Sequence, residues 1–587
     1  MMNKELKKFL DKHINIDTDT SKISVFPIPC GVGKSEYIKY LLADALQNNY
    51  GLIVVTDSVD RLNNYVTNAQ DSGLTEYIQR NSHRLSILTK ESIADEIKTI
   101  NFKPIVLMTT QRYFNLSRDE IINFTSNQKY KRAKIVFDEK IQLLEPKRLT
   151  IKNLNDILTA LNEGLDNTVN EADKKYLITE YDKINQELQK RLIENEQLNN
   201  GLQDFKREIW FDSSALAITD EFNIILKKYK NQLKKYNSDI LKDFEAVNKL
   251  FFDGIITSQK IKSKKSNQEY KNYYTVVTNN IDKLINIGAK VFVLDGTADI
   301  SPEYQLKCVN MINCNRFKRD LSKLTINLVN VNTSKDKLTK KDDKTERYIK
   351  TIIDYIKSQP INIDTLFTYQ SIEKYFENNF EYVNHFGNIK GSNDYRDINN
   401  ICQVGLNRWS ELIYLLYANE IGMYNDSDKT ITNRIFEKEV IDDIRCRTIL
   451  ADIEQNLYRC RIRNVHNKEE CTYTIICSST EKSNIFENYQ PLIDMLKSRY
   501  EKLGAKVNII DTPIEFKLLK SKTRKTSNET SIQKFDKWLK YQFVGRVFKK
   551  SDVKKECNIT DSQFKDILHT GILNNFKTDK RGIYKIK

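Results

Sequence analysis

No apolar run in the 587 residues approaches the roughly 20 that a bilayer crossing needs, which argues against a membrane span. The amino end, Met1 to Ile14, is charged and amphipathic and lacks the apolar core of a secretory signal. Nine cysteines are present without a C-x-x-C pair; Cys308/Cys314 and Cys471/Cys477 are each six positions apart, the second pair inside one expected strand. That spacing argues against a disulfide or metal framework and for reduced, buried thiols. Together these absences predict a soluble, cytoplasmic protein with no membrane partner. Acidic residues are scarce at one end: positions 516–587 hold 19 Lys and Arg against 7 Asp and Glu, so +12 of the total +15 lies there and the body is almost neutral. A basic terminal module on a neutral body suggests a polyanion-binding appendage, although a Lys-, Asn- and Ile-rich chain also suits an AT-rich genome. The length predicts roughly three or four domains, and 40% hydrophobic content is enough for real cores.

The most informative stretch is Lys22 to Ser35. An apolar strand over Ile23–Phe26, a Pro-x-Pro turn and a helix starting near Ser35 form the layout of a phosphate cradle. Gly31 and Gly33 leave room for backbone N–H groups, Lys34 can reach β- and γ-phosphates, and Ser35 can ligate Mg²⁺; Pro29, Cys30 and Val32 complete the loop. Ile28 stands where the strict pattern has its first glycine, so a chance Gly-Lys-Ser remains an alternative on this stretch alone. About a hundred residues on, the strand Ala133–Phe137 ends in Asp138-Glu139, a pair suited to holding Mg²⁺ through water and polarising the attacking water. Between them, apolar strands end in polar residues at Thr56 and at Thr109-Thr110-Gln111, the pattern of a parallel sheet with crossovers.

At these residues the chain resembles the superfamily 2 helicases and translocases. Ile28–Ser35 resembles their first motif, Thr56–Leu62 the strand-contacting motif Ia, Thr109–Tyr113 the next one, and Asp138-Glu139 the start of the DExH/D box; Lys140-Ile141 departs from that box. Asp295-Gly296-Thr297-Ala298 resembles motif III, Thr368 ends a motif IV-like strand, Gly391 lies in a motif V-like stretch, and Gln455-x-x-x-Arg459 resembles motif VI. The resemblance implies two RecA-like lobes with ATP and Mg²⁺ between them, and arginine fingers at Arg459 and at either Arg463 or Arg461. It also implies strand contacts at Thr56, Thr110, Gln111, Thr368 and Gly391. The long heptad-like run from Leu177 to Phe205 and a second over 222–252 predict a helical insertion in the first lobe, with a basic loop over 258–266. Arch-bearing repair helicases carry an insertion at this place, though the four-cysteine cluster of many of them is missing here.

The domains expected are a 1–20 N-terminal helix, a first lobe over 21–145 completed by 281–322, the insertion over 146–280, a second lobe over 323–515, and a basic module over 516–587. Three short helices and a hairpin turn at 578–582 make that module resemble a winged helix, which would set Lys580 and Arg581 on phosphates. The fold class is thus α/β, and the function implied is ATP-driven movement along nucleic acid, DNA rather than RNA. The rival reading is an ATP-gated DNA- or partner-binding protein without unwinding activity, with protein contacts through the insertion or the winged helix. A small-molecule kinase is disfavoured by the second lobe.

Overall fold

The computed structural model describes residues 3–67, 72–89, 99–126, 129–166, 168–199, 209–210, 218–237, 240–253, 255–261, 269–387, 395–409, 411–422, 439–478, 490–516, 535, 538, 547–557, 559–560, 564, 576–580 and 583–586. The chain divides into two compact units, Met1–Thr345 with Ile356–Ile510, and Glu346–Tyr355 with Asp511–Lys587.

The first unit opens with helix α1 (Lys4–Ile16), capped by the Asn3 side chain on the N–H groups of Glu5 and Leu6. Strand β1 (Ile23–Phe26), helix α2 (Lys34–Gln47), strand β2 (Leu52–Thr56), helix α3 (Val59–Thr67), β3 (Leu85–Leu88), β4 (Ile105–Thr109) and β5 (Lys134–Asp138) follow. Ile38, Leu41, Leu42, Ala45 and Leu46 recur at helical steps and all are buried, so α2 lies against the sheet along that stripe. After the insertion come β10 (Lys290–Leu294) and β11 (Val309–Met311), the insertion itself carrying β6 to β9. All pairings in this sheet are parallel and its order is β11-β1-β10-β5-β2-β4-β3. Apart from the edge strand β11, which is half-buried to exposed, these strands are buried near-continuous apolar runs. The register is the useful fact: Phe26 pairs with Leu294, Leu294 with Asp138, Asp138 with Thr56 and Thr56 with Thr109. Five strand ends therefore stand level along one rim of the sheet.

The insertion holds helices α4 (Glu171–Asn199) and α5 (Ile240–Asp253), with Tyr181, Leu188, Phe222 and Phe244 in a core of its own. It is not wholly helical: β6 (Leu144–Leu149), β7 (Ile209–Trp210), β8 (Ile255–Ile261) and β9 (Glu269–Asn279) form an antiparallel sheet in the order β6-β9-β8-β7. Residues 258–261, expected in a basic loop, pair with Asn272 to Glu269 in β9. Their lysine and glutamine content hid a ladder that depends on a partner strand rather than on local periodicity.

The second lobe has β12 (Leu324–Asn330), β13 (Thr365–Thr368), β14 (Tyr382–His385), β15 (Asn400–Val404), helices α6 (Glu411–Glu420) and α7 (Glu439–Leu457), β16 (Cys471–Cys477), α8 (Gln490–Glu501) and β17 (Lys506–Ile510). Its sheet is also parallel throughout, in the order β14-β13-β15-β16-β12-β17. Cys471 and Cys477 bound the single strand β16, and none of the nine cysteines is in a disulfide. Two parallel sheets flanked by helices make the two-lobe RecA-like α/β architecture.

One helix belongs to both lobes. Ile441 and Ile444 of α7, with Tyr414 and Tyr417 of α6, sit in the first lobe's core, while Ile449, Leu450, Ile453 and Leu457 sit in the second's. Tyr417 also donates to the Leu144 carbonyl at 2.7 Å, and Glu420 accepts from Asn279 at 2.7 Å and pairs with Lys249 at 2.9 Å. A second tie crosses through Arg499 on α8, whose guanidinium bonds both oxygens of Asp299 (2.8 and 3.1 Å) and also Glu454 (2.9 Å).

In the second unit, β18 (Val547–Lys549), β19 (Phe576–Lys580) and β20 (Ile583–Ile586) form an antiparallel sheet in the order β18-β20-β19, beside helix α9 (Lys550–Cys557). Phe516 meets Tyr348 and Tyr355 edge-on, and Phe535 contacts Trp538 and Phe564. Residues 578–580, expected as the hairpin turn, belong to β19, and Lys580 pairs with Ile583. Most of the expected first and third helices of this module lie outside the described residues. Among the described residues no helix is long and apolar enough to cross a membrane.

Two stability predictions follow from the buried guanidinium groups. Arg132 is 0% exposed and donates to the carbonyls of Ile100, Lys103, Pro104 and Phe124. Arg132→Met removes a donor from all four carbonyls, of which Pro104 keeps the Leu52 N–H and Ile100 the Lys103 N–H, and is expected to lower the urea-derived unfolding free energy by about 3 kcal/mol; a loss below about 1 kcal/mol would contradict this role. Burial raises the Glu454 carboxyl, and Arg499 offsets much of that rise. A raised acid loses its proton later in the folded than in the unfolded chain, so its contribution to stability falls as pH climbs above the ordinary glutamate range. Arg499→Met removes the compensating charge and is expected to destabilise by about 3 kcal/mol near neutral pH, with a smaller penalty near pH ~5. Unfolding midpoints measured across that range check the sign; a penalty that grows toward acid would contradict it.

Candidate active site

The rim where five strands end collects most of the residues singled out in the sequence. Pro29 to Gly33 turn from β1 into α2, Lys34 and Ser35 are the first two residues of that helix, and Gly33 is its N-cap. Gly31 and Gly33 take φ of 84° and 110°, values that side chains rarely tolerate. At Gly31 there is also no room: a Cβ would stand 1.8 Å from the carbonyl oxygen of Arg463, which belongs to the second lobe.

Lys34 is buried and its Nζ donates to the Ile28 carbonyl at 2.9 Å, folding the side chain back along its own loop. Burial pulls the ammonium down, but Cys30, Glu139, Asp138 and Asp295 together hold it above the usual lysine value. Ser35 Oγ donates to Asp138 Oδ2 at 3.3 Å, bridging 103 positions of sequence. Asp138 is 1% exposed, Tyr65 also donates to its Oδ2, and its Oδ1 is buried with no hydrogen-bond partner. A serine hydroxyl beside a carboxylate oxygen that lacks a donor is a hard oxygen donor set of the kind Mg²⁺ prefers. These two residues fit such an ion.

Glu139 follows at φ 117°, a region that is strained for a residue with a side chain, at about 1–3 kcal/mol. Its Oε1 accepts from Arg61 Nη1 at 2.8 Å. Burial alone raises this carboxyl, but Arg61, Lys34 and Arg459 outweigh it and hold it well below the usual carboxylate range. Arg459 comes from the turn after α7, is 8% exposed, and also offsets the rise that burial imposes on Asp57. The loop, the acidic pair and the arginine are thus brought together, the arginine from the other lobe.

The remaining residues fall out differently. Gln455 is half-buried on α7. Arg461 turns to Glu469 within its own lobe, whereas the Arg463 main chain is the part that abuts the loop. Thr56 and Thr368 are 0% exposed at the ends of β2 and β13, their hydroxyls bonded to Asp57 and to the Val404 carbonyl. Thr110, the first residue of a short helix over Thr110–Asn115, donates to the Thr56 carbonyl at 3.2 Å, tying that helix to the end of β2, and Gln111 is exposed beside it. Lys580 is in β19 of the second unit; Gly391 and Arg581 lie outside the described residues.

Several site residues were given no role of their own in the sequence reading. Asp57 and Arg61 lie inside the motif Ia-like stretch without being singled out, and Tyr65 carried no motif signal. Asp295 is 1% exposed, accepts from Thr297 N–H and Oγ1, leaves Oδ2 without a partner, and is raised by burial. Lys140, the departure from the DExH/D pattern, pairs with Glu303 at 3.0 Å and donates to Ser301 at 3.2 Å, while Ile141 N–H donates to Tyr304. The acidic box is therefore bonded to the segment after Thr297 through Lys140 and a main-chain group. Arg319, between the lobes, donates to Cys30 and Arg463 carbonyls at 3.1 Å each and to that of Ile462. Beside the loop, a cavity of about 620 Å³ is bordered by Pro27, Pro29, Gly296, Arg319 and Arg499.

No family model matches the chain, and no curated protein matches it. Among solved structures it is similar to S. tokodaii Xpd4 (12% identity, 86% of this chain and 100% of that one, TM-score 0.43). It is also similar to apo XPD (11% identity, 86% and 100%, TM-score 0.46). The DUF1998 helicase MrfA bound to DNA and AMPPNP gives 10% identity over 100% of this chain and 62% of that one, with a TM-score of 0.28. All three TM-scores lie below 0.5, and the chemistry of this chain has to rest on the rim residues themselves.

Proposed function

We propose that this chain hydrolyses ATP between its two lobes and uses the cycle to move along, or unwind, nucleic acid, with DNA as the substrate. The observation that carries the reading is the acidic pair Asp138-Glu139, level with the end of β1, facing Lys34 and Ser35 on one side and Arg459 from the other lobe.

The residues have distinct tasks in this scheme. The 29–35 turn and Lys34 bind the phosphates, with Ser35 and Asp138 holding Mg²⁺, which supplies charge neutralisation on the phosphates when bound. Lys34 must leave the Ile28 carbonyl to reach them, a rotation of one flexible side chain. The cavity beside the loop falls within the size range of small-ligand sites and would take the nucleoside. Glu139 orients the attacking water and accepts its proton. Arg459, and Arg463 once its turn shifts, stabilise charge developing on the γ-phosphate. Because these arginines arrive from the second lobe, hydrolysis depends on how the lobes meet, and the partly exposed segments after β2 and β4 are where a strand would be gripped and released. The basic module over 516–587 adds sequence-independent attraction for the backbone.

Steady-state ATP hydrolysis with and without single-stranded DNA, single-stranded RNA and duplex DNA tests this. Stimulation by DNA is expected, and Lys34→Ala and Arg459→Ala are each expected to lower the stimulated rate by about a hundredfold or more. Hydrolysis indifferent to every nucleic acid would overturn the motor reading. DNA-stimulated hydrolysis without strand displacement or translocation would leave an ATP-gated binding protein in its place.

A further inference from the structure

Arg61 is a cation that the motif pattern does not ask for. It stands in the first turn of α3, four residues after Asp57, and is 8% exposed. Its guanidinium is shared among three carboxylates of different standing. Nε lies 3.3 Å from Asp57 Oδ1, and Nη1 lies 2.8 Å from Glu139 Oε1 and 3.6 Å from Asp138 Oδ2. The planar fork of arginine allows this sharing, which a lysine could not reproduce. Asp57 belongs to the partly exposed turn that closes β2, with a side chain 20% exposed, whereas Glu139 is the residue placed to orient water. Thr110 donates to the carbonyl of Thr56, so the turn that carries Asp57 is also joined to the short helix that follows β4.

The consequence is chemical. A carboxylate that accepts from a charged donor at 2.8 Å is held in place and made a weaker base toward water, even though its second oxygen can still accept, so this arrangement holds Glu139 in a restrained state. We propose that Arg61 is a positioning residue through which an occupied strand site licenses hydrolysis: it restrains Glu139 while the turn at Thr56–Ser58 is empty, and phosphates docking there draw the guanidinium away. The proposal rests on the nucleic-acid-dependent reading above and names the element that conveys strand occupancy to the hydrolytic glutamate. Phosphate oxygens match the arginine fork as well as carboxylates do, so the exchange trades like bonds for like. A strand then shifts the equilibrium by its differential contact with the two positions of Arg61. Glu139, left on a strained backbone at φ 117°, is free to take up the water once the guanidinium leaves.

The test is ATP hydrolysis by the full chain, alone and with saturating oligodeoxythymidylate or oligouridylate, for the wild type, Arg61→Gln and Arg61→Lys. Removing a charged hydrogen bond from Glu139 is expected to raise the unstimulated rate of Arg61→Gln about tenfold and to bring the stimulation ratio toward one. Arg61→Lys keeps the buried charge but cannot span these carboxylates, so a smaller rise and a reduced ratio are expected. Melting temperatures establish which variants are folded, and the lysine variant decides the matter if the glutamine variant is not. A folded variant whose ratio equals or exceeds that of the wild type, including one whose two rates fall in parallel, overturns the proposal. A wild type that neither homopolymer stimulates overturns the proposed function itself, before any variant is compared, and this inference falls with it.

Discussion

Two adjacent carboxylates at the end of a buried strand cannot stand without compensating charge, and the architecture of the first unit follows from how Asp138 and Glu139 obtain it. The cations come from three elements: Lys34 from the head of α2, Arg61 from α3, and Arg459 from the turn after α7. Two belong to the first lobe and one to the second. Burial favours protonated acids, yet Glu139 is held ionised, so the attraction of these cations exceeds the desolvation it must offset. The level register of β1, β10, β5, β2 and β4 is what makes this possible, since a one-residue slip in any strand would turn its terminal side chain to the other face.

The third cation depends on α7. Its first half is packed into the core of the first lobe and its second half into that of the second, so the turn carrying Arg459 sits on a rod anchored at both ends. Arg319 and Arg499 add polar ties at the same junction, one through main-chain carbonyls and one through Asp299 and Glu454. Packed cores have discrete arrangements rather than continuous ones, which suits the proposed dependence of hydrolysis on how the lobes meet. The Arg463 carbonyl is pressed against Gly31, where a side chain on residue 31 could not be accommodated.

Much of this was legible in the sequence where a signal is local. The strand, turn and helix around Lys34, the strand ending in Asp138-Glu139, and the spacing of Gln455 to Arg459 each announce themselves within ten residues, and both parallel sheets could be anticipated from apolar runs ending in polar residues. What escaped depends on partners distant in sequence. Arg61 lies in the motif Ia-like stretch, but its carboxylate partners come into view only when β2 and β5 are seen side by side; Lys140 reads as a defect in a motif until Glu303, 163 positions later, is placed next to it. The antiparallel sheet of the insertion was missed for the same reason, because Lys260 and Gln259 carry no β signal without the ladder to Tyr270 and Lys271. In the basic module the turn was read as beginning at Thr578, which has turn chemistry, but Thr578 to Lys580 belong to β19 and Lys580 is paired with Ile583.

The central claim is that one nucleotide engages both lobes. Amide hydrogen exchange on the full chain, with and without a non-hydrolysable ATP analogue and Mg²⁺, addresses it directly. The account predicts that the analogue slows exchange at 29–35 and 138–139 in the first lobe and also at 455–463 in the second. Protection confined to the first lobe would show that the arginine turn takes no part in holding the nucleotide, and would contradict the account.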